Sequence, residues 1–365
     1  MKSAGFHLEG MLKNAGLILI FALGFYLAYT GYFEKASYFL PTYDNAMLHA
    51  GRARFIIETG SYAEKEVVFG GKTPTYHLPA YPALVAGTTI LTGLDFAWTE
   101  RIIGLLFSFL LPFAFYCIAK GISGDWRAGV AAAIIAMYST SLMTWATRNS
   151  PIALGNIIVP LALFFILRKE LLLAALSAFV LAIDHQPSLL AFVLSAFIFV
   201  AIEFTLQQWD HLSKKRGLSI HTLLADLTGP SLAAGVFSGL FSFILYMIWH
   251  IRQAGISCID FKCLPQAAAR EFGKSIDLAE YFSKNPQFLA IGGILLIPFS
   301  TKIDSRSKLM AFSWLAANTL LVKNDLIGIG TFTERFLTYF DGVTAVFGGM
   351  AIALILSYAW GDFKQ

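Results

Sequence analysis

The hydrophobic positions of this chain fall in long blocks separated by short polar ones. The clearest blocks run from Ala15 to Phe33, Ile102 to Ala119, Ala128 to Ala146, Leu189 to Ile202 and Ala345 to Ala359. Each approaches the roughly 20 residues needed to cross a hydrocarbon core of about 30 Å. Hydropathy predicts about ten spans, at approximately 14–33, 101–120, 128–146, 151–167, 171–185, 188–206, 229–250, 287–300, 309–322 and 336–358. Backbone polar groups in lipid must be paired within their own segment, so the spans are predicted as helices. The weak alternation of β-barrel strands is missing from these blocks. An eleventh apolar stretch, 76–93, is interrupted by Pro79, Pro82 and several glycines. It predicts an interfacial or re-entrant helix.

The polar segments set the orientation. With the N-terminus inside, the inner loops hold Lys120 with Arg127, Arg168 with Lys169, Lys214 with Lys215 and Arg216, and Lys302 with Arg306 and Lys308. The short outer loops hold fewer basic residues, as the positive-inside rule requires. Both termini are therefore expected in the cytoplasm of a multi-pass plasma-membrane protein. Two long loops then face outside, about 34–100 and 251–286, and the whole chain, 1–365, reads as one transmembrane domain. In the first loop, Ala46, Met47, Ala50, Ala53, Ile56 and Ile57 recur at helical spacing. Asp44 stands at or near the N-cap of that helix and Gly60 at its end. An amphipathic helix there lies in the membrane interface.

Composition agrees. Apolar residues make up 57% of the 365 and charged residues 14%, against roughly 25% charge in ordinary soluble domains. The net charge of +4 is spread out, with no basic tract among aromatics, so no nucleic-acid partner is expected. The first apolar run is too long for a cleaved signal and predicts a helix that stays. Only Gly361 to Gln365 follow the last helix, so no soluble domain is expected after it. Cys117 lies in an apolar block, whereas Cys258 and Cys263 sit in a polar loop, as a disulfide or as two free thiols.

Ionisable groups within or beside spans are costly and are functional candidates. The outer set is Asp44, His49, His77, Arg101, Arg148, Asp184, His185, Asp325, Glu334 and Arg335. Asp44 is a candidate catalytic acid and also a natural helix cap. Arg335, after Glu334 and before an apolar run, suits a lipid phosphate, which a guanidinium binds bidentately. An interfacial anchor paired with Glu334 is the simpler reading. Arg148 before Asn149 offers a second polar contact or a snorkelling side chain. Asp184-His185-Gln186-Pro187 is either a polar cluster, open to a metal, or a tight turn. His77 and Tyr81 lie in an aromatic, proline-rich stretch able to stack on a sugar.

The order of these features resembles the GT-C superfamily of membrane glycosyltransferases, which includes protein O-mannosyltransferases, aminoarabinose transferases and oligosaccharyltransferase catalytic subunits. The resemblance covers about 14–206 and, more loosely, 325–358. The matching features are Asp44 in the first outer loop, the Tyr76 to Pro82 stretch, Thr92-Gly93, Arg101 opening the second span, the basic loop at Lys120, Arg148 after the third span, the Asp184 turn and the late Arg335. The resemblance implies an all-α GT-C-like fold and a sugar donor on a polyprenyl phosphate or diphosphate. It implies a lipid, glycan or protein acceptor, with membrane lipids around the site. Asp44 would be the base of an inverting single displacement, with Arg335, Arg148, Glu334, His77, Tyr81, His49 and Arg101 as substrate and phosphate contacts. A divalent cation, Mg or Mn, stays open, with Asp44, His185 and Asp184 as its ligands. The chain departs from many relatives in carrying Asn149 where they have a second acid, and in the expected lack of a soluble C-terminal domain. Two other readings compete: a transporter or flippase of lipid-linked sugars, and a non-catalytic accessory subunit of the same fold.

Overall fold

The computed structural model describes residues 2–29, 44–63, 78–146, 150–213, 230–254, 275–284, 286–327 and 332–362. Among these the regular elements are all helical. In chain order they are α1 (Lys2–Tyr29), α2 (Asp44–Thr59), α3 (Ala80–Thr92), α4 (Phe96–Ser123), α5 (Trp126–Tyr138), α6 (Thr140–Ala146), α7 (Pro151–Arg168), α8 (Leu171–Asp184), α9 (Gln186–Ser213), α10 (Pro230–Ala254), α11 (Leu278–Lys284), α12 (Leu289–Leu296), α13 (Ser305–Val322) and α14 (Thr333–Asp362). Four described helices are long and apolar enough to cross a membrane unaided: α4, α7, α9 and α14. Shorter apolar helices lie at the predicted positions 14–33, 76–93, 128–146, 171–185, 229–250 and 287–300, and the more polar α13 occupies 309–322.

Helix ends follow local chemistry. Gly60 at φ 70° and Gly93 at φ 68° close α2 and α3 in the left-handed region that glycine enters without strain. Asp95 accepts from Ala97 N at 2.9 Å to start α4. Two predicted spans are broken. The 128–146 block divides at Ser139, whose ψ of 120° is extended. The 287–300 block is a short α-helix between 3₁₀ turns at Pro286–Phe288 and Ile297–Phe299.

Helix α14 is the hub. It packs on α5, α12, α13, α4, α6 and α9. Lipid supplies no hydrophobic drive between helices, so close backbone approach at small residues holds them together. A Cβ on Gly349 would lie 2.5 Å from Ala132 N and 2.6 Å from Ala128 O. The α5 and α14 backbones therefore touch, and any side chain at 349 would part them.

The starts of α7, α9 and α14 are tied together by Asn156 Nδ2 donating to Thr338 Oγ1 at 3.0 Å and by a 2.5 Å bond between Ser188 and Tyr339 hydroxyls. At the far end, Arg306 on α13 donates to Glu203 Oε1 at 2.9 Å and to Leu167 O at 2.7 Å. It thereby satisfies a carbonyl that the end of α7 leaves without an intrahelical donor.

Candidate active site

Two polar clusters occupy the end of the bundle where α4, α7, α9 and α14 begin. The first lies where α2 and α3 meet α4. Tyr81 Oη donates to Glu100 Oε2 at 2.8 Å. The His49 ring stands edge-on to Tyr81, centroids 5.6 Å apart. Its Nδ1 is 3.5 Å from Arg52 Nη1. All four side chains are buried, Arg52 to 1% exposure. Charged groups are rarely this buried unless paired. They fasten α2, whose first residue is Asp44, onto α3, which in turn touches α7 and α8.

The second cluster joins α7, α8, α9 and α14. His185 Nδ1 lies 3.0 Å from Ser188 Oγ and 3.4 Å from Tyr339 Oη. Asp184 is 1% exposed, and among the described residues neither of its carboxylate oxygens has a hydrogen-bond partner. Asp184 and Arg335 both act electrostatically on the Tyr339 hydroxyl. Arg335 and Tyr339 are four residues apart on α14, hence on one helical face. The Arg335 guanidinium also stands over the Phe332 ring, 5.0 Å from its centroid. Gly155 permits the network, because a Cβ there would fall 2.0 Å from Ser188 Oγ.

A third group ties the second long loop to this end. Lys323 Nζ donates to Ser275 Oγ at 3.0 Å and Ile276 O at 2.9 Å. The Ser275 hydroxyl, with Lys323 beside it, holds the Asp325 carboxyl below the usual carboxylate range.

The structure thus brings Asp184 and His185 to Tyr339, one turn along α14 from Arg335. It places His49 and Tyr81 inside the α2–α3–α4 junction. Arg101 lies over the Trp98 ring at 5.7 Å, on α4, and Glu334 is exposed. His77, Arg148, Cys258, Cys263 and the Asp44 side chain lie outside the described residues. Among the described residues no three His, Cys, Asp or Glu side chains are grouped to hold a metal ion. Sequence reasoning missed Ser188, Tyr339, Asn156 and Asp341. Asp341 had a signal, being an acid inside the predicted 336–358 span. The others are polar groups of ordinary kinds within apolar runs.

These features define a polytopic helical membrane protein with a polar site at one end of its bundle. Its fold is shared with solved structures of ArnT and of an archaeal oligosaccharyltransferase. The chain superposes on ArnT from Cupriavidus metallidurans bound to undecaprenyl phosphate with a TM-score of 0.60 and 13% identity, over 94% of this chain and 61% of that one. It superposes on the archaeal oligosaccharyltransferase AglB from Archaeoglobus fulgidus, in complex with an inhibitory peptide and a dolichol-phosphate, with a TM-score of 0.59 and 12% identity, over 94% and 50%. A complex of the Archaeoglobus fulgidus oligosaccharyltransferase with Zn and sulfate matches with a TM-score of 0.56 and 12% identity, over 93% and 49%. The chain therefore spans about half to three fifths of the length of these structures. No protein-family model and no curated protein matches it by sequence.

Proposed function

We propose that this chain transfers a sugar from a polyprenyl-phosphate or polyprenyl-diphosphate donor to a lipid, glycan or protein acceptor on the extracytoplasmic face. The observation that carries the reading is the gathering of Arg335, Tyr339, His185 and Asp184 at one end of a GT-C fold, the end to which α2 and Asp44 are fastened. Two of the structural neighbours carry undecaprenyl phosphate or dolichol-phosphate, a lipid-phosphate chemistry that fits a guanidinium at the membrane edge.

The reaction is a single displacement with inversion. The Asp44 carboxylate takes the proton of the acceptor hydroxyl. The acceptor oxygen bonds to the anomeric carbon as the bond from that carbon to the phosphate oxygen breaks. The phosphate leaves with the bonding electron pair, and Arg335 stabilises the charge it gains. A phosphate leaving group needs no strong general acid, so the carboxylate pair of glycosidases is unnecessary. His185 and Tyr339 keep the polar wall around Arg335 in place. A divalent cation, Mg or Mn, would need Asp44 as a third ligand beside Asp184 and His185. The steps assigned here run through the chain's own residues.

The test is reconstitution in vesicles with a radiolabelled polyprenyl-phosphate sugar. Transfer of label to an acceptor supports the enzyme. Translocation without transfer would make the chain a flippase, and binding alone an accessory subunit. Asp44→Asn should abolish transfer with folding unchanged, and an active variant removes Asp44 as the base.

A further inference from the structure

A second buried acid on α14 has no part in that reaction scheme. Asp341 is 2% exposed and lies six residues past Arg335, about 9 Å further along the axis at 1.5 Å per residue. Its carboxylate accepts from the hydroxyls of Ser139 and Tyr281. The Ser139 hydroxyl in turn accepts from the Leu142 amide at 3.3 Å. That amide belongs to the first turn of α6, where no intrahelical acceptor exists. Ser139 therefore caps α6 while Asp341, 202 positions away in the chain, holds the capping hydroxyl. A carboxylate suits that place because the helix N-terminus carries partial positive charge. A buried charge is tolerated when several donors face it.

Three elements meet on this one carboxylate. One is the α5–α6 break at Ser139. The second is α14, which carries Arg335 and Tyr339 toward its start. The third is α11, at the described end of the second long loop, whose Tyr281 packs against Phe282 and Phe340 with centroids 5.3 Å and 5.5 Å away. Helix α11 has seven residues, too few to span a membrane, and belongs to the second long loop, which the basic-residue pattern puts on the outer face. The donor's lipid tail stays in the bilayer. A shift of α11 must therefore be felt first by a water-side acceptor.

We propose that Asp341 is a positioning residue: through Tyr281 and Ser139 it fixes α11 and the α5–α6 bend against the part of α14 next to Arg335, and so shapes the approach of the acceptor. The statement about the acceptor rests on the transferase reading; the capping of α6 does not. Full-length protein in nanodiscs is compared as wild type, Asp341→Asn and Tyr281→Phe. In Asp341→Asn the Ser139 cap loosens, and amide hydrogen exchange at Leu142 should quicken by about tenfold or more. In Tyr281→Phe, that amide stays protected while 278–284 exchanges faster. Tyr281→Phe should also raise the acceptor KM several-fold and leave donor binding unchanged. Unchanged exchange at Leu142 in Asp341→Asn overturns the hold on the cap. An unchanged acceptor KM in Tyr281→Phe, with only the folded yield reduced, overturns the positioning role. Should Asp341→Asn fail to fold, Tyr281→Phe decides by its exchange and its KM. If the wild type transfers no sugar, the transferase reading fails and the exchange experiment still judges the cap.

Discussion

Placing a single methyl group on Gly155 should damage both the stability of the bundle and the proposed transfer reaction. An alanine Cβ there would sit 2.0 Å from Ser188 Oγ, 2.7 Å from Ser188 Cβ and 3.2 Å from Tyr339 Oη. Ordinary contact begins near 3.4 Å, so the Ser188 hydroxyl must turn away and, with Ser188 Cβ at 2.7 Å, α7 and α9 must part by about 0.7 Å at this point. Helix α7 is held to α14 by the 3.0 Å bond from Asn156 to Thr338, so the movement falls on the α8–α9 turn. That draws Ser188 away from Tyr339, at 2.5 Å, and from His185, at 3.0 Å. Overpacking costs about 1–3 kcal/mol, and two lost hydrogen bonds cost about 0.5–1.5 kcal/mol each. The better helix propensity of alanine returns about 1 kcal/mol. The net loss is then about 1–5 kcal/mol, visible as a lower denaturation midpoint in detergent. Misplacing the wall around Arg335 by about 1 Å should slow transfer about 100-fold. Ser188→Gly in the Gly155→Ala background restores room but not the hydroxyl, so it should recover stability without recovering transfer. A Gly155→Ala protein with wild-type stability and activity refutes the packing argument. Full recovery of transfer in the double variant refutes the role of the Ser188 network.

Two further outcomes follow from the far end of the bundle. Arg306→Ala leaves Glu203 partly buried without its partner and frees Leu167 O, and should cost about 3 kcal/mol or somewhat less; Arg306→Met with Glu203→Met should regain most of it, as read by detergent denaturation. Burial pushes the Asp304 carboxyl up, but bonds from the Ser307 hydroxyl and amide outweigh it and bring the group below its usual value. A lowered acid pKa adds stability above the unfolded value of about 3.9 and loses it as pH falls through the folded value. Wild type should therefore lose more stability than Asp304→Asn in titration from pH 5 toward pH 2, and equal slopes would contradict the cap.

Much of the fold was legible because each signal was local. Apolar blocks located the spans, Gly60 closed α2, and Pro79 and Gly93 bound the thirteen residues of α3. The break at Ser139 was not legible, because the acid that bonds Ser139, Asp341, comes from the opposite end of the sequence. The site divides in the same way. Arg335, Asp184 and His185 stand out as polar groups at the ends of apolar runs. The bond from Ser188 to Tyr339 joins residues 151 positions apart, and no pattern in either segment announces it. Gly155 looks like any small residue in a membrane helix until the Ser188 side chain is placed against it.

The hub position of α14 also bears on how the molecule is made. Ribosomes deliver α14 after every other described helix, and domains generally fold as synthesis proceeds. The earlier helices therefore enter the bilayer around a slot whose occupant does not yet exist. The acid that holds the Ser139 cap of α6 and the arginine of the proposed phosphate site arrive together on that last element. Until it inserts, that cap lacks its carboxylate and the glycine seam facing Ala132 has no second half, so assembly of the bundle and completion of the proposed site are one event.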